Sequence, residues 1–321
     1  MRLSWKAGAV TLAATIALSA CGGGGGGESD DASSGETRTV ESTFTGEQVE
    51  VPAEPKRIVA LWRTGSELAD LGVVPVAQLE GELIDSELEP EVFDKVADVP
   101  VVGSYEGVDI EKVIEADPDL IIGMDHGSLS IDYDELSEIA PTVIFKIAEP
   151  TDVWENYPLI AETVGKTTDY DEKEAELEKS LAAIKDEYGE DLADLQVTSL
   201  GIMDGTIWVD TSKALIYQRI TAAGFGYNEA LIDDPERYVE ELAMENLPDL
   251  ADQDAIFYDV GIDGTPDPEV QQLIDSPSFK ALPAVQAGHA FPITSGVIYT
   301  FAGADQQVED LRAAAEELTG N

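Results

Sequence analysis

Short apolar runs alternate with amphipathic segments along most of this chain, and that alternation predicts the fold class. Residues 40–51 alternate hydrophobic and polar positions around Thr45-Gly46, the pattern of a β-hairpin. Residues 57–61 read as a buried strand, 66–71 as a short helix stopped by Gly72, and 75–77 as a further strand. Asp109 caps a helix to Ala116 that breaks at Asp117-Pro118, ahead of a strand over 120–123. A helix over 134–140 and a strand over 142–145 repeat the pattern. From 152 to about 188 the period is helical, with a break near 165–169. Trp154, Tyr157, Ile160, Ala161 and Val164 share one face before the break, and Leu177, Leu181 and Ile184 form an apolar stripe after it. Strands are expected at 197–203, 207–209, 255–258 and 291–293, with helices at 214–224 and 304–318. Strand–helix alternation on both sides of a long helical stretch predicts two α/β lobes joined by helices.

Composition narrows the function classes. With 43% hydrophobic residues the chain can bury one or two cores, which excludes a disordered acidic tail. Its 18 Lys and Arg stand against 66 Asp and Glu, a net charge of −48, so a phosphate backbone is excluded as a partner. Cys21 is the sole cysteine, which rules out an intramolecular disulfide, and two histidines cannot supply a three-histidine metal site.

The N-terminus reads as an address. Arg2 and Lys6 precede an apolar stretch over 7–18 that is too short to span a bilayer. Leu18-Ser19-Ala20-Cys21 then resembles a bacterial lipobox. That resemblance implies a signal peptide over 1–20, lipidation of Cys21, and a mature protein anchored to the outer face of the cell membrane. Gly22 to Gly27 and the Ser- and acid-rich residues after them give a flexible tether over 21–39, with a reach of about 24 Å. Loss of residues 1–20 removes two positive charges and no negative ones, leaving −50. Such self-repulsion suits a salty medium, in which the Debye length is about 3 Å at 1 M.

Catalytic fingerprints are absent. No serine has glycines two positions away on both sides, and Gly165-Lys166-Thr167 follows a helix where a phosphate loop needs a strand. Gly224-Phe225-Gly226 is followed by Glu229 where a dinucleotide fingerprint needs glycine, and Asp132-Tyr133-Asp134 lacks the glycine and distal glutamate of a calcium loop.

An ordered series of segments is more telling. Pro55-Lys56-Arg57-Ile58-Val59-Ala60-Leu61 is followed by Glu67-Leu68-Ala69-Asp70-Leu71-Gly72-Val73 and by Val108-Asp109-Ile110-Glu111-Lys112-Val113. Then come Ala116-Asp117-Pro118-Asp119-Leu120-Ile121-Ile122-Gly123, Ile139-Ala140-Pro141-Thr142-Val143, Met244-Glu245-Asn246-Leu247-Pro248-Asp249-Leu250 and Ala281-Leu282-Pro283-Ala284-Val285-Gln286-Ala287-Gly288. From about Val40 to Thr319 the chain resembles the iron-siderophore and cobalamin family of ABC-transporter substrate-binding proteins. The resemblance implies a class III periplasmic-binding-protein-like fold: two α/β lobes joined by a single long helix, with a ligand groove between them. The N-terminal lobe would cover 40–151, the linking helix and its successor 152–190, with the link itself at 152–165, and the C-terminal lobe 191–321. It implies a monomer with no catalytic role and no resident cofactor, which hands a ferric siderophore to the permease of an ABC importer. Cobalamin and haem are rival ligands within the family, and a lipid-anchored hydrolase using paired carboxylates is the alternative outside it. The resemblance further implies one permease-docking glutamate on each lobe, at Glu111 and Glu245.

Ligands of open α/β lobes bind beyond the carboxyl ends of the strands. Trp62 and Arg63 follow the first buried strand, Tyr105 follows Val102, and Asp125 and His126 follow Ile122. Lys146 follows Phe145, Trp208 lies near Met203, Tyr258 and Asp259 end a strand, and Tyr299 follows the last strand. Arg237 and Tyr238 occupy a polar loop that carries ligand contacts in the family. From this set the predicted ligand-binding residues are Trp62, Arg63, Tyr105, His126, Lys146, Trp208, Arg237, Tyr238, Tyr258 and Tyr299, with no side chain assigned to the metal. Aromatic rings suit the organic shell of a chelate, and guanidinium forks suit its carbonyl or hydroxamate oxygens. The net charge predicts a hydroxamate or mixed-type ferric siderophore, neutral or cationic ferric hydroxamates being favoured over triply anionic catecholates.

Overall fold

The computed structural model describes residues 36–320, so the leader, Cys21 and the glycine run lie outside the described residues. Strands β1 (Thr37–Ser42) and β2 (Glu47–Pro52) form the expected hairpin, turned by Gly46 at φ +77°. The Ser42 hydroxyl and the Phe44 amide both bond to the Ile144 carbonyl, which fastens the hairpin to the first lobe.

That lobe runs β3 (Ile58–Ala60), α1 (Gly65–Asp70), β4 (Ala77–Gln78), α2 (Pro90–Val96), β5 (Gly103–Ser104), β6 (Gly107–Val108), α3 (Ile110–Ala116), β7 (Leu120–Asp125), α4 (Tyr133–Ser137) and β8 (Thr142–Lys146). Its sheet is parallel throughout, in the order β4-β3-β7-β8. Every residue of β7 is buried, as a parallel strand covered on both faces requires. The Asp109 carboxylate accepts the Lys112 amide and caps α3, and Asp117 ends that helix in the left-handed region.

Three helices connect the lobes: α5 (Thr151–Glu155), α6 (Tyr157–Thr163) and α7 (Thr167–Leu192). The single long helix is therefore α7, which begins after the 152–165 segment expected to form it. The reason is local. Pro158 cannot donate into a preceding turn, so Asn156 ends α5 and starts α6, and Gly165 at φ +74° stops α6. Helix α7 buries Tyr170, Leu177, Leu181, Ile184, Tyr188 and Leu192 at helical spacing and turns its charges outward.

The second lobe runs β9 (Val197–Met203), β10 (Thr206–Asp210), α8 (Leu215–Ala222), β11 (Val239–Leu242), a 3₁₀ segment (Met244–Leu250), β12 (Ala255–Val260), α9 (Pro268–Asp275), α10 (Pro277–Lys280), α11 (Pro283–Ala287), β13 (Ala290–Thr294) and α12 (Phe301–Thr319). Its sheet is mixed, in the order β11-β10-β9-β12-β13; β12 is parallel to both neighbours and β10 antiparallel to both of its own. Helix α12 buries Val308, Leu311, Ala314 and Ala315 and packs along α7.

One carboxylate gathers the elements that meet where the lobes join. Asp70, at the end of α1, is 5% exposed at its side chain and lies 3.8 Å from Lys173 of α7. It accepts the Tyr157 hydroxyl at 2.7 Å and the Phe301 amide at 2.8 Å, so a residue of the first lobe caps the last helix of the second. The Phe301 ring lies 5.0, 5.2 and 5.3 Å from those of Trp154, Tyr157 and Tyr170. Two hydrogen bonds run beside this cluster, from the Thr300 hydroxyl to the Glu87 carbonyl and from the Ile262 amide to the Ser86 carbonyl. Among the described residues no helix is long and apolar enough to cross a membrane.

Replacing Asp70 by Ala strands the first amides of α12 in a dry environment and leaves Lys173 without its carboxylate, while the Tyr157 hydroxyl keeps the Glu67 carbonyl at 3.0 Å. Urea unfolding should show a loss of about 3 kcal/mol. A loss below about 0.5 kcal/mol, the range of ordinary surface changes, would show that Asp70 is not the tie.

Candidate functional site: the groove between the lobes

The N-lobe wall is built on the turn between β3 and α1. The Leu61 amide donates to the Ile122 carbonyl, and the Met124 amide to the Trp62 carbonyl, so Trp62 prolongs the β3–β7 pairing at the carboxyl end of the sheet. Arg63 then takes the left-handed conformation, φ +57°, which is uncommon outside glycine and points to a constrained position. Its guanidinium lies 5.6 Å from the Trp62 ring centre and 5.5 Å from that of Tyr299, across in the other lobe. The Glu82 carboxylate holds the turn, accepting the Thr64 amide at 3.2 Å and the Gly65 amide at 3.4 Å. A methyl at Gly65 would meet the Glu82 side chain at 2.7 Å, so glycine is what lets the two approach.

Trp62, Arg63, Glu67, Glu82, Glu87 and Tyr105 surround a small cavity of about 160 Å³. Burial raises the pKa of all three glutamates: Glu67 well above its ordinary value, Glu82 to about 7, and Glu87 also upward. Arg63 pulls each of them back toward the charged form.

The C-lobe wall bounds a larger cavity of about 540 Å³. Its floor is the β10-β9-β12 region of the sheet. Gly201 of β9 pairs with Trp208 of β10, and a methyl there would meet an Asp259 carboxyl oxygen at 2.7 Å. Trp208 packs edge-on to Tyr238, their ring centres 6.0 Å apart. Leu215 and Ile216 of α8 and Ile298 and Tyr299 of the last loop add apolar wall. The charged lining consists of Glu87, Asp210, Asp259, Asp263 and Asp267. Asp210 accepts the Ser199 hydroxyl, and Asp259 Oδ2 accepts the Ser295 hydroxyl at 2.8 Å. Burial lifts both aspartates, Asp210 well upward with Asp259 adding to it, and Asp259 to about 7.

Six of the ten predicted ligand residues thus line the two cavities: Trp62, Arg63, Tyr105, Trp208, Tyr238 and Tyr299. His126 stands just behind, its ring edge-on to Trp62 at 4.8 Å. Lys146, Arg237 and Tyr258 line neither cavity. Lys146 is exposed, with its amide bonded to the Thr43 hydroxyl. The exposed Arg237 pairs with Glu241 at 2.8 Å. Tyr258 points to the other face of β12 and packs on Phe279, because consecutive strand residues face opposite ways. Its neighbour Asp259 takes the groove position. Asp210, Asp259 and Glu87, with Glu67 and Glu82 at the smaller cavity, are among the lining residues missing from the predicted set. Glu111 and Glu245 are both exposed, in the first turns of α3 and of the 3₁₀ segment.

Two α/β lobes joined by one long helix, with an aromatic groove between them, define a class III solute-binding protein. The periplasmic binding protein family profile matches residues 84–295, and the chain belongs to that family. It is 30% identical over 311 residues to the probable siderophore-binding lipoprotein YfiY of Bacillus subtilis (strain 168), covering 92% of this chain and 91% of the relative. With the petrobactin-binding protein YclQ of the same organism it shares 32% identity over 182 residues, 55% of this chain and 56% of the relative. Among solved structures it superposes on the siderophore periplasmic binding protein from the fuscachelin gene cluster of Thermobifida fusca. The TM-score there is 0.73 at 26% identity, over 83% of this chain and 98% of that one.

The raised Glu82 pKa has a sign that can be checked. Protonation favours the folded state, so the stability Glu82 allows is fully present below about 4.5 and lost as pH rises through about 7. Glu82→Gln, which keeps an acceptor for Thr64 and Gly65, should remove that loss. Between those limits the wild type should lose up to about 3 kcal/mol more stability than the variant. Parallel stability–pH curves for the two proteins would refute the assignment.

Proposed function

We propose that this protein is an extracytoplasmic lipoprotein, anchored through Cys21, that captures a ferric siderophore as a monomer and delivers it to the permease of an ABC importer. One observation carries the reading: Arg63 is held between Trp62 and Tyr299 at a groove whose other walls are Trp208 and Tyr238. A guanidinium framed by aromatic rings suits a chelate with an apolar organic shell and oxygen donors around its metal. Relatives named for siderophore binding over nearly the whole chain support the same ligand class. Calorimetric titration with a panel of ferric siderophores, haem and cobalamin tests it. At least one ferric siderophore should bind, and Arg63→Ala should weaken it by about tenfold or more. Binding of haem or cobalamin alone would overturn the ligand assignment.

Delivery assigns Glu111 and Glu245 to the permease, one from each lobe. Both are exposed near helix starts and line neither cavity. A Glu111→Ala/Glu245→Ala double variant should bind ligand with wild-type affinity yet fail to support uptake in cells. Uptake at the wild-type rate would remove the docking role. In the same cells Cys21→Ser should move the protein out of the membrane fraction, and normal processing with retention there would refute the anchor.

A further inference from the structure

The larger cavity has an electrostatic asymmetry that capture of a generic chelate does not explain. All five of its charged lining residues are acids, and no Lys, Arg or His is among the described residues that line it. Three of the five are engaged in the fold. Asp267 accepts the Glu269 and Val270 amides at the start of α9, Asp263 holds the Thr265 turn, and Glu87 interacts with Ser66 and Arg63. Asp210 and Asp259 are different. Each has one serine hydroxyl, from Ser199 and Ser295, and neither forms an ion pair among the described residues. Asp259 Oδ1 is sealed from solvent and has no hydrogen-bond partner.

Two neighbouring acids in a half-buried wall, one of them with a sealed and unpartnered oxygen and neither with a cation from the protein, are a costly arrangement that a bound cation would relieve. The chain also makes room for them. Gly201 leaves the floor open beside Asp259, and any side chain there would displace its carboxyl. Among the described residues the one cation lining the two cavities, Arg63, stands at the N-lobe wall with Glu67, Glu82 and Glu87 around it, and the carboxyl pair without a cation stands at the C-lobe floor.

We propose that Asp210 and Asp259 are specificity-determining residues that select ligands carrying a cationic arm, an ammonium or its equivalent, beside the metal-binding groups. This rests on the siderophore reading and names the ligand class within it. The metal centre and its oxygen donors lie toward Arg63, and the cationic arm reaches the carboxyl pair. An arm ending in a carboxylate would be repelled there, and a neutral arm would leave the acids unpaired.

A matched pair of probes tests this: the ferric complex of desferrioxamine B, which has one free ammonium, and the same complex N-acetylated to neutrality. Titrations run at about pH 8, above the value of about 7 to which burial lifts Asp259. The ammonium complex should bind about tenfold tighter or more. In Asp259→Asn, and separately in Asp210→Asn, the ratio of the two affinities should fall toward one, whatever happens to either affinity alone. The second variant reads the same ratio should the first not fold. Equal affinities in the wild type, or an undiminished ratio in a folded variant, overturn the proposal. So does failure of the ammonium complex to bind where another ferric siderophore binds. Silence toward every ferric siderophore overturns the siderophore reading itself, and the subsite with it.

Discussion

A buried carboxylate reaching from one lobe to the first turn of the other's last helix is the constraint on which this architecture turns. Asp70 receives the Phe301 amide, the Tyr157 hydroxyl and the approach of Lys173, so α1, α6, α7 and α12 share one acceptor. An acceptor this deep is tolerable only when its oxygens are occupied, and the occupants come from elements far apart in the chain. The aromatic cluster around Phe301 excludes water from the same point and strengthens those bonds. Everything at the groove is referenced to this junction. Tyr299 stands two residues before Phe301, and Arg63 two residues before α1 begins.

The protein places its charges on two scales. Globally it is a polyanion whose surface field is set by the ionic strength around it. Locally, at the turn after β3, Arg63 is set among three buried glutamates whose pKa values burial has raised. The glutamates secure the turn and the rings of Trp62 and Tyr299 frame the cation, so a positive group persists in a groove that the overall charge would make negative. That local arrangement is insulated from salt in a way the surface field is not.

The long regular elements were readable from the chain because their periods are unambiguous. The strand over 197–203 appears at its expected bounds, and the hairpin and the break before α7 follow from Thr45-Gly46 and Gly165. The two-residue strands β4, β5 and β6 and the short helices α9 to α11 carry too few residues to show a period. The long linking helix is α7 and not the 152–165 segment, because Trp154, Tyr157 and Ile160 share a face even though Pro158 and Asn156 divide that segment into α5 and α6. At the site, residues that directly follow a strand were legible, as Trp62 and Arg63 illustrate. Parity was the weak point. Tyr258 is the more attractive residue chemically, but the strand turns Asp259 into the groove, where it lies against Gly201. Lys146, placed by the end of its strand, and Arg237, placed by its loop, both miss the groove: Lys146 is exposed and Arg237 is paired with Glu241.

The links between the lobes have a consequence for communication. Asp70 to Phe301, Glu87 to Thr300, Ser86 to Ile262 and Arg63 to Tyr299 tie the first lobe to the second. A receptor whose lobes swing shut announces its cargo by a change of outline. Ties of this kind oppose such a swing, and the less the lobes swing, the less the outline says about the cargo. To the degree that the ties hold, the exposed face of the cargo at the groove mouth would be what distinguishes the loaded protein from the empty one.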